Sequence, residues 1–332
     1  MAKITIKEIA DLAGVSTATV SRVLNGSGGY SADTGQRVLE VLEKNNYQTN
    51  FVAKSLRTNQ SKTIGIIVPD ITNEYFASIA LAIENFYSPK GYSIYIYNTS
   101  EDPEKERLLI RDLEARRVDG LIYISGTANI PDEAIERRLP IVCINRRETM
   151  GEDVIVVESD NFLGGFIATE ELIRQGCRNI VLIRDQRDVL PMNERHRGYN
   201  AALKKHGLAV KESLVQQIPF DVHHAIGCVE DLIDGQVEFD AIFACTDMLA
   251  IGALKALREN GKKVPEDVKV IGFDNITFGQ LSYPALTTIN QDKMQLAETA
   301  CELLLDIIEN KEKPKQRIIV LPVALIKRNT TL

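Results

Sequence analysis

Residues 5–27 read TIKEIADLAGVSTATVSRVLNGS, and the stretch fits two short helices with a turn between them. Thr5 followed by Glu8 has the S/T-x-x-E spacing of a capping box. Ile6, Ile9, Ala10 and Ala13 recur at helical spacing, and Gly14 ends the run. Ser16 can cap a second helix, which reaches about Asn25 before Gly26, Gly28 and Gly29 break the chain. That second helix has an apolar face of Val15, Val20, Val23 and Leu24. Its remainder is small and polar, with one positive charge, Arg22. Two helices joined by a glycine-containing turn form a helix-turn-helix pattern. Its first helix crosses the DNA backbone and its second enters the major groove. Thr17, Ala18, Ser21 and Arg22 fall opposite the apolar face, where small side chains permit close approach and an arginine forks onto guanine O6 and N7. A capped helical hairpin with no DNA role has the same spacing.

Outward from this stretch, Ser31 opens a third helix whose Val38, Leu39, Leu42 and Tyr47 face inward. Residues 48–62 are polar, with one weak apolar spacing, Val52, Ala53 and Leu56. They read as a linker with about two helical turns. Residues 1–62 carry eight Lys/Arg and five Asp/Glu, a balance of +3, against −7 for the whole chain and hence −10 for the rest. A small basic head on a large acidic body suggests two jobs in one chain.

From Thr63 onward, strand-like runs alternate with amphipathic segments: 63–71, 92–100, 118–125, 140–146, 154–160, 179–185, 213–220, 240–247, 268–275 and 317–326. Near-continuous apolar strands with helical crossovers predict an α/β fold of parallel sheets covered on both faces. Ten strands exceed one comfortable doubly wound sheet, so two lobes with a cleft at the strand C-termini are expected. Polar and aromatic residues gather at those ends: Asp70, Asn73, Tyr75 and Phe76; Asn145 and Arg146; Thr246 and Asp247; Asp274 and Asn275. Aromatic faces beside amides and carboxylates suit a sugar. Each Asp or Asn is equally an ordinary helix N-cap.

The opening stretch resembles the DNA-binding head of the lactose-repressor (LacI/GalR) family of bacterial transcription regulators. YQTNFVAKSLRTNQSKTIGIIVPDITNEYF (47–76) resembles the family's hinge and the start of its core. DGLIYISG, SDNFLGGFIATEELIRQGCRNI, RHRGYNAAL, FACTDMLAIGALKAL, VPEDVKVIGFDN and PALTTINQD continue the likeness along essentially the whole chain. The resemblance implies a helix-turn-helix head (1–48), a hinge (49–62) and a two-lobed core similar to periplasmic sugar-binding proteins (63–332). The lobes would be 63–160 plus 291–320, and 161–290 plus 321–332. It implies a homodimer on a pseudo-palindromic operator, repressing a carbohydrate-utilisation operon, with no cofactor, metal or membrane partner. Thr17, Ala18 and Arg22 match its base-reading positions. Thr5, Ser16, Thr19, Ser21, Asn25 and Tyr47 match positions that touch phosphate or set the head. Asn50, Ala53 and Leu56 match hinge positions, Leu56 being the minor-groove wedge. Effector contacts carry over to Asn73, Tyr75, Phe76, Asn145, Arg146, Arg195, Phe220, Thr246, Asp274 and Gln291. Gly35 and Gln36 depart from the charged residues the family often has there. Asn145 and Thr246 depart from the ribose-binding pattern, so pentose and hexose both stay open.

Two rival classes are an enzyme and a periplasmic binding protein. The chain lacks GxGxxG after a strand, GxxxxGK[ST], GxSxG and HExxH. Its N-terminus has no apolar secretory core, and its apolar runs are strand-sized. Its five cysteines, odd in number and scattered, fit a reducing cytoplasm. His223 and His224 are the one adjacent histidine pair, more often exposed than metal-binding. The chain stops at VALIKRNTTL without a leucine-heptad tail, so a dimer rather than a tetramer is expected.

Overall fold

The computed structural model describes residues 4–47, 60–100, 102–125, 139–146, 154–310 and 316–332. Contacts divide the chain into a small unit, Met1–Ser61, and a large one, Lys62–Leu332.

The small unit holds helices α1 (Ile6–Ala13), α2 (Thr17–Asn25) and α3 (Ala32–Lys44). Thr5, Ser16 and Ser31 cap them, and Gly14 and Gly26 end the first two in the left-handed conformation that glycine adopts without a Cβ clash. Ile9, Ala10, Ala13, Val20, Val23, Val38 and Leu42 make the core, with Ile6, Val15, Leu24 and Tyr47 packed at its margin. Leu39, expected inside, is 51% exposed. The buried stripe of α3 is Gly35, Val38 and Leu42, and the residue after Val38 is turned about 100° away from it. Gly35 has its own explanation: a Cβ there would lie 2.9 Å from the Tyr30 ring. The ring fills the space that a side chain would need.

In the large unit, sheet A contains β1 (Thr63–Val68), β2 (Ser93–Asn98), β3 (Gly120–Ile124), β4 (Ile141–Ile144), β5 (Ile155–Ser159) and β11 (Ile318–Leu321), in the order β11-β5-β4-β3-β1-β2. Its pairings are all parallel. Helices α4 (Glu74–Tyr87) and α5 (Pro103–Ala115) belong to this lobe, as does α11 (Lys293–Asn310). Sheet B contains β6 (Ile180–Asp185), β7 (Val215–Ile218), β8 (Ala241–Ala244), β9 (Lys269–Phe273), β10 (Thr287–Gln291) and β12 (Val323–Ile326), in the order β12-β10-β9-β8-β6-β7. Only β12 runs antiparallel, against β10. Helices α6 (Asn161–Arg174), α7 (Leu190–Lys205), α8 (Val222–Asp234), α9 (Asp247–Glu259) and the short α10 (Thr277–Leu281) accompany it. The apolar central strands predicted this arrangement, since each is sealed by helices on both faces.

Two strand assignments change. Residues 317–326 are not one strand but β11 and β12, in different sheets, with Pro322 between them. Proline has no N–H for a ladder and breaks the run there. Strand β10 has no apolar run to announce it, because TTINQ contains a single strong apolar residue. Its buried threonines are satisfied instead: the Thr287 hydroxyl donates to Arg328 O at 3.1 Å, and Thr288 donates to Asp247 at 2.5 Å. The chain passes between the two sheets at Asp160, Asp292 and Pro322. Among the described residues, no helix is long and apolar enough to cross a membrane.

Candidate functional site

On the head, Thr17, Ala18 and Arg22 are exposed on α2, away from buried Val20 and Val23. The Arg22 guanidinium donates from Nη1 to Gly29 O at 3.2 Å, which orients it and leaves its other donors available. Ser16 Oγ accepts the Thr19 N–H at 3.1 Å, and the two hydroxyls are hydrogen-bonded at 3.0 Å. Thr5 is likewise engaged by its own helix, its hydroxyl donating to Glu8 Oε2 at 2.9 Å. Asn25 Nδ2 donates to Ser21 O at 2.7 Å, and Tyr47 packs against the head core. Asn50, Ala53 and Leu56 lie outside the described residues. Ser16→Ala should cost the head about 1 kcal/mol through loss of its cap, read as a lower melting temperature of residues 1–61 by circular dichroism.

In the large unit, a cleft forms where the C-terminal ends of both sheets meet. Asn73, Tyr75 and Phe76 follow β1, Asn145 follows β4, Phe220 follows β7, Thr246 follows β8 and Asp274 follows β9, and Arg195 comes from α7. The space among them is about 520 Å³ when the part open to solvent is counted. Asn73 and Thr246 also cap α4 and α9, so the capping role and the cleft position coexist. Ser125, Asn145 and Asp274 all line the cleft with positive φ, 54°, 53° and 114°. Such strain in non-glycine residues clusters at binding sites.

The floor is a buried hydrogen-bond chain. Asn145 Nδ2 donates to Tyr75 Oη at 2.8 Å, and the Tyr75 hydroxyl donates to Gln291 Oε1 at 3.1 Å. Gln291 Nε2 donates to Asp274 Oδ1 at 2.6 Å. Arg195 donates from Nε to Asn161 at 2.9 Å and from Nη1 to Cys245 O at 2.5 Å. Its guanidinium lies over the Phe273 ring and 3.8 Å from Asp274 Oδ1. Burial pushes the Asp274 carboxyl up to about 6, against the opposing pull of Arg195, Lys293 and the Gln291 hydrogen bond.

Two effector candidates do not line the cleft. Gln291 is fully buried beneath it and acts through Tyr75 and Asp274. Arg146 lies over the Tyr123 ring, with Nη1 3.9 Å from Glu106, beside the cluster that contains Ile67, Ile110 and Leu113. Asn145, its neighbour, goes instead to Tyr75, the chain having left the strand there through a left-handed φ of 53° at Asn145. The structure adds Ser125, Arg187, Val189, Pro191 and Met192 to the lining. These follow β3 and β6, and the strand-end rule applied to those two strands would have found them. Among the described residues, no group of His, Cys, Asp and Glu is arranged to hold a metal.

Residues 5–50 match the family described as Bacterial regulatory proteins, lacI family, and residues 169–331 match the Periplasmic binding protein-like domain. Over 328 residues the chain is 36% identical to the ribose operon repressor of Halalkalibacterium halodurans, covering 98% of this chain and 97% of that protein. The chain belongs to the LacI family. This LacI-family chain is also 34% identical over 330 residues to the HTH-type transcriptional repressor PurR of Histophilus somni, covering 98% of each. Its fold matches the lac repressor dimer bound to operator and the anti-inducer ONPF, with a TM-score of 0.87, 25% identity and 100% of both chains covered. The LacI-family chain is therefore a ligand-controlled transcriptional repressor, and these relatives are repressors rather than enzymes.

Proposed function

We propose that the chain acts in the cytoplasm as a homodimer that represses a carbohydrate-utilisation operon, with a small sugar or sugar derivative, a pentose or a hexose, bound between its lobes as effector. The observation that carries this reading is the cleft. It sets Tyr75, Phe76 and Phe220 beside Asn73, Arg195 and Asp274, a combination suited to the C–H faces and hydroxyl rim of a pyranose or furanose. The relative named ribose operon repressor supports the same class. The head would be residues 1–48 and the hinge 49–62. The core would be residues 63–332, its two lobes joined where the chain crosses at Asp160, Asp292 and Pro322. The heads of the dimer would read two half-sites of a pseudo-palindrome, with Leu56 from each hinge wedged into the minor groove between them. Sugar binding would change the lobe geometry and so the operator affinity, by no more than its differential affinity for the two states.

Thermal shift with a panel of pentoses and hexoses tests the effector, because a ligand of the folded state alone raises its melting temperature. A gel shift on the chain's own upstream DNA, with and without the best sugar, tests the coupling. No shift on that DNA together with turnover of a sugar would overturn the reading. Arg22→Ala should relax discrimination at one base pair by roughly 1–3 kcal/mol. Equal weakening on every sequence would make Arg22 a phosphate contact instead.

A further inference from the structure

Asp247 is a fully buried carboxylate at the first turn of α9 and takes no part in lining the cleft. Its Oδ2 accepts the Ile276 N–H at 2.8 Å, and its Oδ1 accepts the Thr288 hydroxyl at 2.5 Å. Thr288 Oγ1 in turn accepts the Asn275 N–H at 3.4 Å. Two consecutive peptide N–H groups that follow Asp274 thus converge on one side chain, one directly and one through a hydroxyl. The turn they belong to is strained, with φ of 114° at Asp274 and 52° at Asn275. Strain of this kind persists only where surrounding contacts over-determine it. The strand beside Asp247 also makes room for it, since a Cβ on Gly272 would run into Oδ1.

We propose that Asp247 is a positioning residue for effector binding, tethering the Asp274–Ile276 turn so that the Asp274 carboxylate faces the cleft. The inference rests on reading Asp274 as the effector-facing carboxylate. Other groups grip the same turn: Lys293 Nζ donates to Asp274 O at 2.8 Å, and Arg328 Nη2 donates to Asn275 Oδ1 at 2.7 Å. Asp247 engages the Ile276 N–H directly and orients the Thr288 hydroxyl that accepts from Asn275, so its loss frees the turn without unseating its far side. Burial, with the charge of Asp274 adding to it, raises the Asp247 carboxyl to about 8. A neutral asparagine therefore suits the position. It still accepts from Ile276 and can donate to the Thr288 oxygen.

The test uses the full chain and compares Asp247→Ala, Asp247→Asn and Thr288→Val. Amide hydrogen exchange is followed across residues 270–290, and D-ribose affinity is measured by calorimetry. Asp247→Ala should speed exchange of the Asn275 and Ile276 amides at least tenfold and weaken D-ribose at least tenfold. Asp247→Asn should restore both to within about twofold of the parent. Thr288→Val, which keeps the carboxylate and removes only the relay, should release Asn275 more than Ile276. Parent-like exchange in Asp247→Ala, or no recovery in Asp247→Asn, would overturn the proposal. Should Asp247→Ala fail to fold, Thr288→Val decides it alone: unchanged protection of Asn275 overturns it. If the parent chain does not bind D-ribose, ribose fails as the effector, and the exchange results still decide whether Asp247 holds the turn.

Discussion

Asp274→Asn is expected to weaken sugar binding about 100-fold while leaving effector-free operator affinity within about twofold. A carboxylate that accepts from two hydroxyls makes charge-assisted bonds of about 1.5–3 kcal/mol each, and every 1.4 kcal/mol is tenfold. Asparagine replaces one acceptor by a donor and removes the charge. Titration calorimetry with the best sugar from the thermal-shift panel measures the effect. The parent's pH dependence follows from the same group. Its folded carboxyl titrates near 6, above the ordinary 3.8. Binding through the ionised form weakens as pH falls through 6. Stability runs the other way. The burial penalty on the carboxylate is absent below about 3.8, grows between 3.8 and 6, and is complete above 6. Asp274→Asn removes that penalty, so at pH 7 its melting temperature should equal or exceed the parent's. A variant that bound sugar normally, or melted well below the parent, would show that Asp274 is a structural residue.

Gly198→Val should destabilise the large unit strongly, by about 3 kcal/mol or more. Helices α6 and α7 cross with Gly165 and Gly198 at the contact. A Cβ on Gly198 would enter the Phe162 carbonyl oxygen, and one on Gly165 would enter the Arg195 carbonyl. Backbone cannot yield there as a flexible side chain would. The crossing also carries the Asn161–Arg195 hydrogen bond, so sugar binding should fail in whatever fraction still folds. Gly227, within α8, has open space around its Cβ position. Gly227→Ala should therefore stabilise, by about 0.5–1 kcal/mol. Urea unfolding of both variants reads the contrast. Similar effects at the two sites would contradict the packing account.

Most of this architecture is written in short-range pattern. Thr5–Glu8, Gly14, Ser16 and Gly26 mark helix ends by local chemistry, and they stand in the structure as caps and left-handed stops. The apolar central strands announce themselves by composition. Strand β10 does not, because its buried Thr287 and Thr288 are satisfied by Arg328 and Asp247, distant in sequence. Leu39 misleads for the opposite reason: it is apolar, and only the register of α3 shows that it faces outward. At the cleft, strand-end polarity finds Asn73, Asn145, Thr246 and Asp274. It cannot separate Asn145, which reaches Tyr75, from Arg146, which goes to Glu106 behind the sheet. That distinction depends on which face each side chain takes.

The central claim is that a sugar held by Asp274 and Arg195 controls operator binding by the head. Fluorescence anisotropy of labelled operator DNA, titrated with the full chain in the presence and absence of saturating sugar, measures this coupling directly. The account predicts a sugar-dependent change in operator affinity of about 5- to 150-fold for the parent chain, and a far smaller one for Arg195→Ala or Asp274→Asn, at a sugar concentration about ten times the parent's Kd. An equal sugar response in the parent and both variants would contradict it.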